Sequence, residues 1–465
     1  MTIPPSRQGS YWLREALTAE DGQPCPPLHG DVTADVVVLG GGYSGLWAAW
    51  FLIERRPGIE VVLLERDICG WGASGRNGGF AGGWWSDADL LVERFGEEAA
   101  VAACRAADES VAAIGDWCRG QEVDAWYRRV PYLSVASSPA QDEEWTPAVE
   151  ACRRLGVPDG YRPLTPAEVQ SACASPAFRG GAAMEGATVQ PARLARGLRR
   201  VLLERGVRIF ERTPATGLDG RKEARVETPG GSVLAPKAVL GLNAWAAGWP
   251  GLRRTVVIRG SYILLTAPAP ERLADLGWTG GECICDVRTA LHYFRTTPDG
   301  RIAFGGVGRA RGARVGPRYD HDEVSLDWIR EGFHRLFPSF RDVPIEEGWG
   351  GAVDVSAMRH PWFGTLRPGV HYAVGFTGHG VAQTHLAGRV LSALALDVED
   401  ETTRLPMVNR EPKRFPPRPL IAVGTSLVQA AILRKDRVED AGKRPGWLTR
   451  FLAGLPRRLG YSVGA

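Results

Sequence analysis

The sequence predicts an α/β fold in which a discontinuous, Rossmann-like nucleotide-binding domain is joined to a second α+β domain built on a mixed antiparallel sheet. Three observations support this prediction. An apolar run at residues 36–39 is typical of a buried parallel strand, and glycines in G-x-G-x-x-G spacing follow it directly. Related strand, turn and helix patterns return at residues 186–242 and 370–396. Strand-like segments separated by turns between residues 258 and 306 indicate the antiparallel sheet.

Length and composition narrow the class of protein. A chain of 465 residues is long enough for two joined domains, and its 44% hydrophobic and 23% charged content is ordinary for a soluble globular protein. The net charge of +3 implies neither a nucleic-acid nor a membrane partner. Eight cysteines without a C-x-x-C pair argue against a disulfide scaffold or a zinc site. We therefore expect a cytoplasmic protein without a membrane span.

Changes in the pattern along the chain divide it into parts. The pattern of an apolar strand, a turn and a helix occurs twice more along the chain, so the nucleotide-binding domain is expected to be discontinuous. The segment Ser10–Arg14 is expected to be extended. The expected parts are an N-terminal arm (1–33), the nucleotide-binding domain (34–90, 185–250 and 350–405), the second domain (91–184 and 251–349) and a C-terminal helical tail (406–465).

Local patterns predict the remaining elements. Apolar residues three and four positions apart indicate helices, and Thr165 followed by Pro166 is typical of a helix start. Short apolar runs bounded by turn residues indicate strands. The predicted helices span residues 88–119, 143–155, 164–174 and 326–337, with another from Pro191, and the predicted strands span residues 59–64, 126–134, 207–211, 238–242, 258–266, 290–295, 301–306 and 371–374.

Each glycine of the first turn has a physical role in nucleotide binding. Gly40 permits the tight turn, Gly42 lets the backbone approach a pyrophosphate, and Gly45 lets the helix pack on the strand. Free N–H groups at the helix N-terminus attract phosphates. Glu65, at the end of the next strand, can accept hydrogen bonds from a ribose. A glycine-rich turn that binds nothing is the alternative, but strand, turn, helix, strand and acid in register favour a nucleotide.

A loop of small residues, Gly72–Gly79, lies just past Glu65. Its glycines would let a flat ring and a phosphate chain lie against the backbone, and Ser74 and Arg76 supply a hydroxyl and a cation. From composition alone the loop could equally be a flexible turn. Its position after the nucleotide fingerprint favours binding.

These residues carry a family resemblance. The chain resembles the D-amino-acid oxidase superfamily of FAD-dependent amine oxidases, and within it the gamma-glutamylputrescine oxidase and glycine/sarcosine oxidase branch. The similarity covers nearly the whole chain, and the motifs are specific in combination. The segments that carry it are GGGYSGLWAAWFL, LLER, GASGRNGG, VQPARLARGL, KAVLGLNAW, DVRTALHYFRTTPDGRIAFGG and GFTGHGVAQTHLAG.

The resemblance implies FAD as the cofactor. Its adenosine diphosphate would lie on the first glycine turn and Glu65, its ring against the loop at residues 74–79, and its pyrimidine end beside the Gly378–Val381 turn. A later strand, Val207–Phe210, would give backbone contacts to the adenine. The implied cofactor-binding residues are Gly40, Gly42, Tyr43, Ser44, Gly45, Glu65, Arg66, Gly72, Ala73, Ser74, Arg76, Asn77, Gly78, Gly79, Val207, Asn243, Gly378, His379, Gly380 and Val381.

The chain departs from relatives that attach the flavin covalently. Sarcosine oxidases use a cysteine shortly before the closing glycine turn, and relatives of dimethylglycine dehydrogenase use a histidine in the early loop. Here residues 350–358 contain no cysteine, and Arg76-Asn77 stands in the early loop. Noncovalent FAD is therefore expected, with His360 as a residual candidate for attachment.

The resemblance also implies the reaction. A primary or secondary amine or an amino acid would transfer a hydride to flavin N5 and become an imine, and molecular oxygen would reoxidise the flavin to give hydrogen peroxide. Tyr293 and Arg295 share one strand face, and with Arg288 they could bind a substrate carboxylate. His379 could polarise the flavin or assist oxygen. Aromatic walls are expected from Trp84, Trp85, Tyr262, Tyr293 and Trp349.

Structural roles remain open for each of these candidates. The arginines could form surface salt bridges with Asp286 or Asp299, the aromatic residues could be core, and His379 could be a buried, hydrogen-bonded histidine. No metal-ligand spacing and no G-x-S-x-G motif occur, so no metal site is expected. Gly306-Val-Gly308-Arg-Ala-Arg311 has arginine in place of the third glycine, so no second nucleotide site is expected.

Two other functions remain open. One is an FAD-dependent dehydrogenase that passes electrons to a quinone or carrier protein. The other is a flavin- or nucleotide-binding protein without turnover, or a flavoprotein that tailors a peptide or carrier-bound substrate. The expected partners are a small-molecule amine or amino acid and oxygen, and the expected state is a monomer or homodimer.

The tail has an apolar face with basic residues beside it. Trp447, Phe451, Leu452, Leu455 and Leu459 would share one helical face, with Arg450, Arg457 and Arg458 elsewhere. This pattern could lie on a membrane surface, but packing on the body of the protein or on a partner subunit is favoured.

Overall fold

The computed structural model describes residues 9–20, 22–220, 223–312 and 314–461. Its α-helices are α1 (Tyr11–Thr18), α2 (Tyr43–Arg55), α3 (Ala88–Phe95), α4 (Glu97–Gly120), α5 (Thr146–Arg154), α6 (Pro166–Ala172), α7 (Pro191–Glu204), α8 (Pro270–Asp275), α9 (Glu323–Leu336), α10 (Gly380–Ala395), α11 (Arg418–Asp440), α12 (Trp447–Ala453) and α13 (Leu455–Arg458).

The strands form three sheets. They are β1 (Val32–Thr33), β2 (Val36–Leu39), β3 (Val61–Leu64), β4 (Phe80–Gly82), β5 (Arg128–Val135), β6 (Arg162–Leu164), β7 (Gly181–Thr188), β8 (Arg208–Phe210), β9 (Gly217–Asp219), β10 (Ala224–Thr228), β11 (Gly231–Ala235), β12 (Lys237–Leu240), β13 (Val256–Thr266), β14 (Cys283–Asp286), β15 (His292–Thr296), β16 (Ile302–Gly312), β17 (Ile345–Ser356), β18 (Trp362–Arg367) and β19 (Val370–Val374).

A six-stranded sheet carries the first glycine turn. Its order is β18-β19-β12-β2-β3-β8, with only β18 antiparallel to its neighbour. All residues of β2 and β3 are buried, since helices cover a parallel sheet on both faces. The strands come from three separate parts of the chain, which confirms the predicted discontinuous, Rossmann-like α/β fold.

A nine-stranded sheet forms the second layer of the site. Its main order is β17-β13-β16-β15-β14-β5-β7-β4, and β6 pairs with β7. All pairs are antiparallel except β5 with β14, which confirms a mixed antiparallel sheet. Strand β17 belongs to this sheet but continues past residue 350, where a domain limit was expected. The domain limits themselves stay a prediction.

Two predicted elements are corrected. Residues Ser10–Arg14 were expected to be extended, but they begin helix α1, because the Ser10 side chain accepts a hydrogen bond from Leu13 N and caps the helix. The predicted helix 88–119 is two helices, since Gly96 has a φ of +83° and interrupts it. The small sheet β1-β11-β10-β9 was not expected, because its strands are short and weakly apolar.

Helix α1 braces the loop at residues 72–79 from outside. Ser10 donates a hydrogen bond to the carbonyl oxygen of Gly75 at 2.6 Å, and Trp12 packs edge-on against Trp349. The Trp349 indole N–H donates to the carbonyl oxygen of Arg76 at 2.9 Å. The N-terminal segment therefore fixes the backbone of this loop.

Removing the Ser10 hydroxyl should destabilise the protein measurably. Ser10→Ala loses both a helix cap and a buried hydrogen bond, so we expect a loss of about 2 kcal/mol in the free energy of unfolding. Urea unfolding followed by circular dichroism measures it. Thr18→Ala is the matched control, because that exposed hydroxyl bonds only within its own helix. An equal loss in both variants would contradict the bracing role.

The C-terminal part folds as α11 followed by two short helices. Helices α12 and α13 are separated at Gly454, so the predicted single apolar face is broken. Helix α12 packs against α11. Within the described residues, no helix is both long enough and apolar enough to cross a membrane.

Candidate active site

One cavity of about 560 Å³ connects the six-stranded sheet to the nine-stranded sheet. One end of the cavity, which we call the turn end, is bounded by the β2–α2 turn, the end of β3 and the indoles of Trp245 and Trp249. At its sheet end it is bounded by residues of β4, β5, β13 and β15. The glycine turn, the early loop and the closing turn therefore share one space.

The glycines of the β2–α2 turn have different tasks. A Cβ on Gly40, whose φ is +107°, would lie 2.5 Å from the carbonyl oxygen of Gly241. Gly42 lines the cavity, and a Cβ there would meet only Ser74 Oγ, at 3.0 Å. Gly45 does not line the cavity; its Cβ would lie 2.0 Å from the carbonyl oxygen of Gly40. Gly45 thus permits packing and makes no ligand contact.

Two hydrogen bonds fix the start of α2 at the cavity wall. Tyr43 N–H donates to Ser74 Oγ at 2.8 Å, and the Tyr43 hydroxyl donates to the carbonyl oxygen of Pro191 at 2.7 Å. Tyr43, Ser44 and Ser74 all line the cavity. The helix N-terminus therefore faces a space that suits a phosphate group.

Glu65 lines the turn end of the cavity. It accepts hydrogen bonds from the N–H groups of Gly41 at 2.7 Å and Asp67 at 2.8 Å. Burial outweighs these donors and raises the pKa of Glu65 to about 7. Arg66 also lines this end, with its guanidinium 5.1 Å from the Trp245 ring centroid.

The loop at residues 72–79 is closed by its own side chains. Asn77 donates to the carbonyl oxygen of Ala73 and accepts from Gly79 N–H. The Arg76 guanidinium donates to Asp320 at 2.6 Å and to the carbonyl oxygens of Trp71 and Gly350. These hydrogen bonds from Arg76 anchor the loop, although Arg76 also lines the cavity. Gly72, Ala73 and Gly78 line the cavity, whereas Gly79 does not.

The closing turn reaches the cavity from the opposite side. Thr377, Gly378, His379, Gly380 and Val381 line it, and α10 begins at Gly380. Burial and the neighbouring Arg359 lower the pKa of His379 to about 4, so its ring is neutral at physiological pH. This helix N-terminus can stabilise negative charge on a bound group.

Asp354 is a cavity residue that the sequence did not reveal. It accepts from Gly375 N–H at 2.6 Å and from the Asn243 side chain at 3.1 Å, and both Asp354 and Asn243 line the cavity. Burial raises its pKa to about 7. Its only signal was an acidic residue among the small and apolar residues of the segment 350–356.

The sheet end is an aromatic enclosure with polar groups in it. The Phe80 ring packs edge-on against Tyr132, 5.8 Å away, and Tyr293, 5.9 Å away. The Tyr293 hydroxyl lies 2.9 Å from Ser261 Oγ, and the Tyr132 hydroxyl lies 3.1 Å from Cys285 Sγ. All five side chains line the cavity.

Three residues expected at the substrate site lie elsewhere. Arg288 is 3.2 Å from Asp440 of α11, because it sits in the β14–β15 turn under that helix. Arg295 donates to the carbonyl oxygen of Val189 at 2.6 Å, behind Gly79. Tyr262 donates to the carbonyl oxygen of Arg318 on the opposite face of β13 from the cavity. None of the three lines the cavity.

The alternative for Arg288 and Arg295 was a surface salt bridge with Asp286 or Asp299. These salt bridges do not form either. Asp286 pairs with His292 at 2.7 Å, and Asp299 pairs with Arg301. The sequence missed Arg259, the arginine that lines the sheet end of the cavity beside Gly260 and Ser261. Its only signal was a charged residue in a largely apolar strand.

Other expected contacts are shifted along the chain. Val207 is buried away from the cavity, and Thr213, Pro214 and Ala215, just after β8, line it instead. Trp84, Trp85 and Trp349 are core residues. The tryptophans that line the cavity are Trp71, Trp245 and Trp249.

Comparison with known proteins assigns the family. A model of the FAD dependent oxidoreductase (DAO) family matches residues 35–394. The chain belongs to this family. It is 30% identical to the gamma-glutamylputrescine oxidoreductase of Escherichia coli, over 82% of this chain and 87% of that protein. It is 28% identical to a probable oxidoreductase, OrdL, of Haemophilus influenzae, over 80% and 85%.

Solved structures show the same fold. The L-proline dehydrogenase of P. horikoshii superposes with a TM-score of 0.66 at 20% identity, over 82% of this chain and 96% of that one. The family makes FAD the cofactor of this enzyme. The cavity fits such a group, because a Cβ on Gly42 would enter it beside Ser74 Oγ and because the half-buried Glu65 carboxylate lines its wall.

Binding of FAD should weaken as the pH falls below about 7. Burial raises the pKa of Glu65 to about 7, and a protonated carboxyl group would not accept hydrogen bonds at both oxygens. A ribose hydroxyl donates to a carboxylate, so the proposed contact with Glu65 would make the Kd rise up to tenfold for each pH unit below 7. Titration of apoprotein with FAD measures it.

The Glu65→Gln variant distinguishes the pH effect of Glu65 from that of Asp354, whose pKa is also raised to about 7. In the variant the Kd should be larger at pH 8 and its pH dependence smaller. An unchanged pH dependence would assign the effect to Asp354 and contradict the role of Glu65.

Proposed function

We propose that this protein oxidises a primary or secondary amine or an amino acid, with noncovalently bound FAD and with oxygen as the final acceptor. The observation that carries the proposal is the continuity of one cavity, from the glycine turn at Gly42 to the aromatic enclosure and Arg259. A dinucleotide cofactor and a small substrate could lie end to end in it. The similarity to a gamma-glutamylputrescine oxidoreductase supports an amine as the substrate.

Bound FAD would accept the hydride that leaves the amine carbon, the imine would be hydrolysed by water, and oxygen would take both electrons to give hydrogen peroxide. The enclosure of Phe80, Tyr132 and Tyr293 would favour the uncharged amine, since burial disfavours an ammonium. Burial also raises the pKa of Tyr293, so its hydroxyl stays protonated and can orient the substrate together with Ser261. Neutral His379 adds no positive charge that would repel a cationic amine on entry.

An amino-acid substrate would present its carboxylate to Arg259. A guanidinium can bind a carboxylate through two hydrogen bonds, which fixes the orientation of the neighbouring C–H bond. Arg259 lies on the same strand as Ser261, and both line the sheet end of the cavity. The carboxylate site proposed for Arg288 and Arg295 is therefore reassigned to Arg259.

Noncovalent attachment is supported by the surroundings of the nucleophiles. Cys285 is the cysteine that lines the cavity, and burial raises its pKa to about 12, which disfavours the thiolate needed for attachment. His360 does not line the cavity and lies 3.3 Å from Asp87. Acid precipitation should release the yellow cofactor into the supernatant; flavin retained in the pellet would contradict this part of the proposal.

The proposed location is the cytoplasm. All eight cysteines are free and buried, which suits a reducing compartment. Fractionation of the native cells followed by immunodetection tests the assignment, and recovery from the periplasm or medium would contradict it.

Peroxide release under air tests the proposed acceptor. With a panel of amines and amino acids, we expect at least one substrate to yield one hydrogen peroxide for each amine consumed. Substrate-dependent reduction of the flavin without peroxide would instead identify a dehydrogenase. Reduction by no free amine would contradict the proposal and favour a peptide or carrier-bound substrate.

A further inference from the structure

The C-terminal helices expose an unusual amount of apolar surface. In the described parts of the chain, the large apolar side chains that are more than half exposed all belong to α11, α12 or the turn after α13. They are Leu427 at 55%, Trp447 at 72%, Leu448 at 53% and Leu459 at 59%. Phe451 is 40% exposed. Clustered exposure of this kind marks an interaction surface.

The exposed residues of α12 form one surface. Trp447, Leu448 and Phe451 stand at positions i, i+1 and i+4 of the helix, so they share one side. The Arg458 guanidinium of α13 lies 4.7 Å from the Phe451 ring centroid and joins the second short helix to this side. We call these residues, with Leu459 and Arg450, the tail surface.

The chain segment that carries the tail surface is basic. Residues 441–465 contain no Asp or Glu, and their basic residues are Lys443, Arg444, Arg450, Arg457 and Arg458. All five basic side chains are exposed. The modest net charge of the whole chain conceals this local excess. We propose that the tail surface docks the protein onto a bilayer that contains anionic phospholipid.

Physical chemistry favours a bilayer over a second copy of the chain. Exposed Trp, Leu and Phe can insert at the headgroup boundary while Lys and Arg meet anionic headgroups. A two-fold dimer through the same surface would instead place each copy's cations against those of the other.

Helix α11 fixes the tail surface to the enzyme body. Asp436 accepts a hydrogen bond from Ala290 N–H at 2.8 Å, and Gln429 donates to the carbonyl oxygen of Gly308 at 2.8 Å. Asp440 pairs with Arg288 in the β14–β15 turn. Docking would therefore hold the nine-stranded sheet in a defined orientation to the bilayer.

Flotation of the purified FAD-loaded protein with vesicles tests the proposal. We expect binding to vesicles of phosphatidylcholine mixed with phosphatidylglycerol, weaker binding to phosphatidylcholine alone, and release by high salt. Trp447→Ala with Phe451→Ala, and separately Arg450→Glu with Arg458→Glu, should each reduce the bound fraction at least about tenfold. Leu203→Ala with Val398→Ala is the matched control, because those exposed apolar residues lie outside the tail and should leave binding unchanged.

Flavin content and melting temperature show that each variant is folded. Wild-type protein that stays unbound with both kinds of vesicle would overturn the proposal, as would equal binding by the Trp447 and Phe451 variant. Light scattering gives a third outcome. A dimer that becomes a monomer in that variant would show that the tail surface is an interface between copies, and it would also overturn the proposal.

Discussion

Valine at position 42 is expected to give a folded protein that purifies without FAD. The φ of Gly42 is −87°, which a β-branched residue adopts without strain, and a Cβ there would touch only Ser74 Oγ. The rest of the side chain would enter the cavity where the diphosphate of the cofactor is proposed to lie. We expect the Kd for FAD to rise at least about a hundredfold, which corresponds to about 2.7 kcal/mol.

The visible flavin absorption of the purified variant and an FAD titration of its apoprotein measure this effect. Gly120→Val is the matched control, because Gly120 has open space around it and should keep its flavin. Gly45→Val should differ from both and fail to fold, since its Cβ would overlap a backbone carbonyl. Wild-type flavin content in Gly42→Val would contradict the assigned position of the cofactor.

Replacing Arg259 by glutamine is expected to raise the KM for amino-acid substrates about a hundredfold. Losing one partner of a hydrogen-bonded charge pair in an enclosed site costs about 3 kcal/mol. An amine of similar size without a carboxylate should show little change, because its binding depends on the aromatic enclosure. Steady-state kinetics with both substrates separates the two effects.

Arg253→Gln provides the control for the loss of charge, because Arg253 is exposed near the same strand and does not line the cavity. It should leave both KM values unchanged. An equal increase in KM for the two substrates of Arg259→Gln would show a general disturbance of the site and would contradict a carboxylate-binding role.

The turn end of the cavity, where the cofactor is proposed to lie, was predictable because its signals are local. The run Val36–Leu39, the glycine spacing and Glu65 lie within a single βαβ unit, so neighbouring residues in sequence are neighbours in space. Buried parallel strands also have a strong apolar signature. The same local pattern, a glycine turn followed by a helix, predicted the closing turn before α10. Helix α10 packs beside α2.

The sheet end of the cavity, where the substrate is proposed to lie, was less predictable because it depends on long-range packing. Strand alternation correctly predicted that Tyr293 and Arg295 share one face, but only Tyr293 reaches the cavity. Arg295 instead donates to the carbonyl oxygens of Gly79 and Val189, which lie between the cavity and Arg295. Arg288 is turned away by acidic residues about 150 positions later in α11. No local pattern records such a partner.

The wrong prediction of an extended segment at Ser10–Arg14 has a similar cause. Ser10 could cap a helix or begin an extended arm, and eight residues are too few to form a stable helix alone. Burial of Trp12 against Trp349 decides the outcome, and that contact joins residues that are far apart in the sequence.

Anaerobic titration of the purified yellow protein with amines and amino acids tests the central claim most directly. We predict that at least one of them bleaches the visible absorption of the oxidised flavin and that admission of air restores it. A protein that purifies without flavin absorption, or whose flavin no amine or amino acid reduces, would contradict the account.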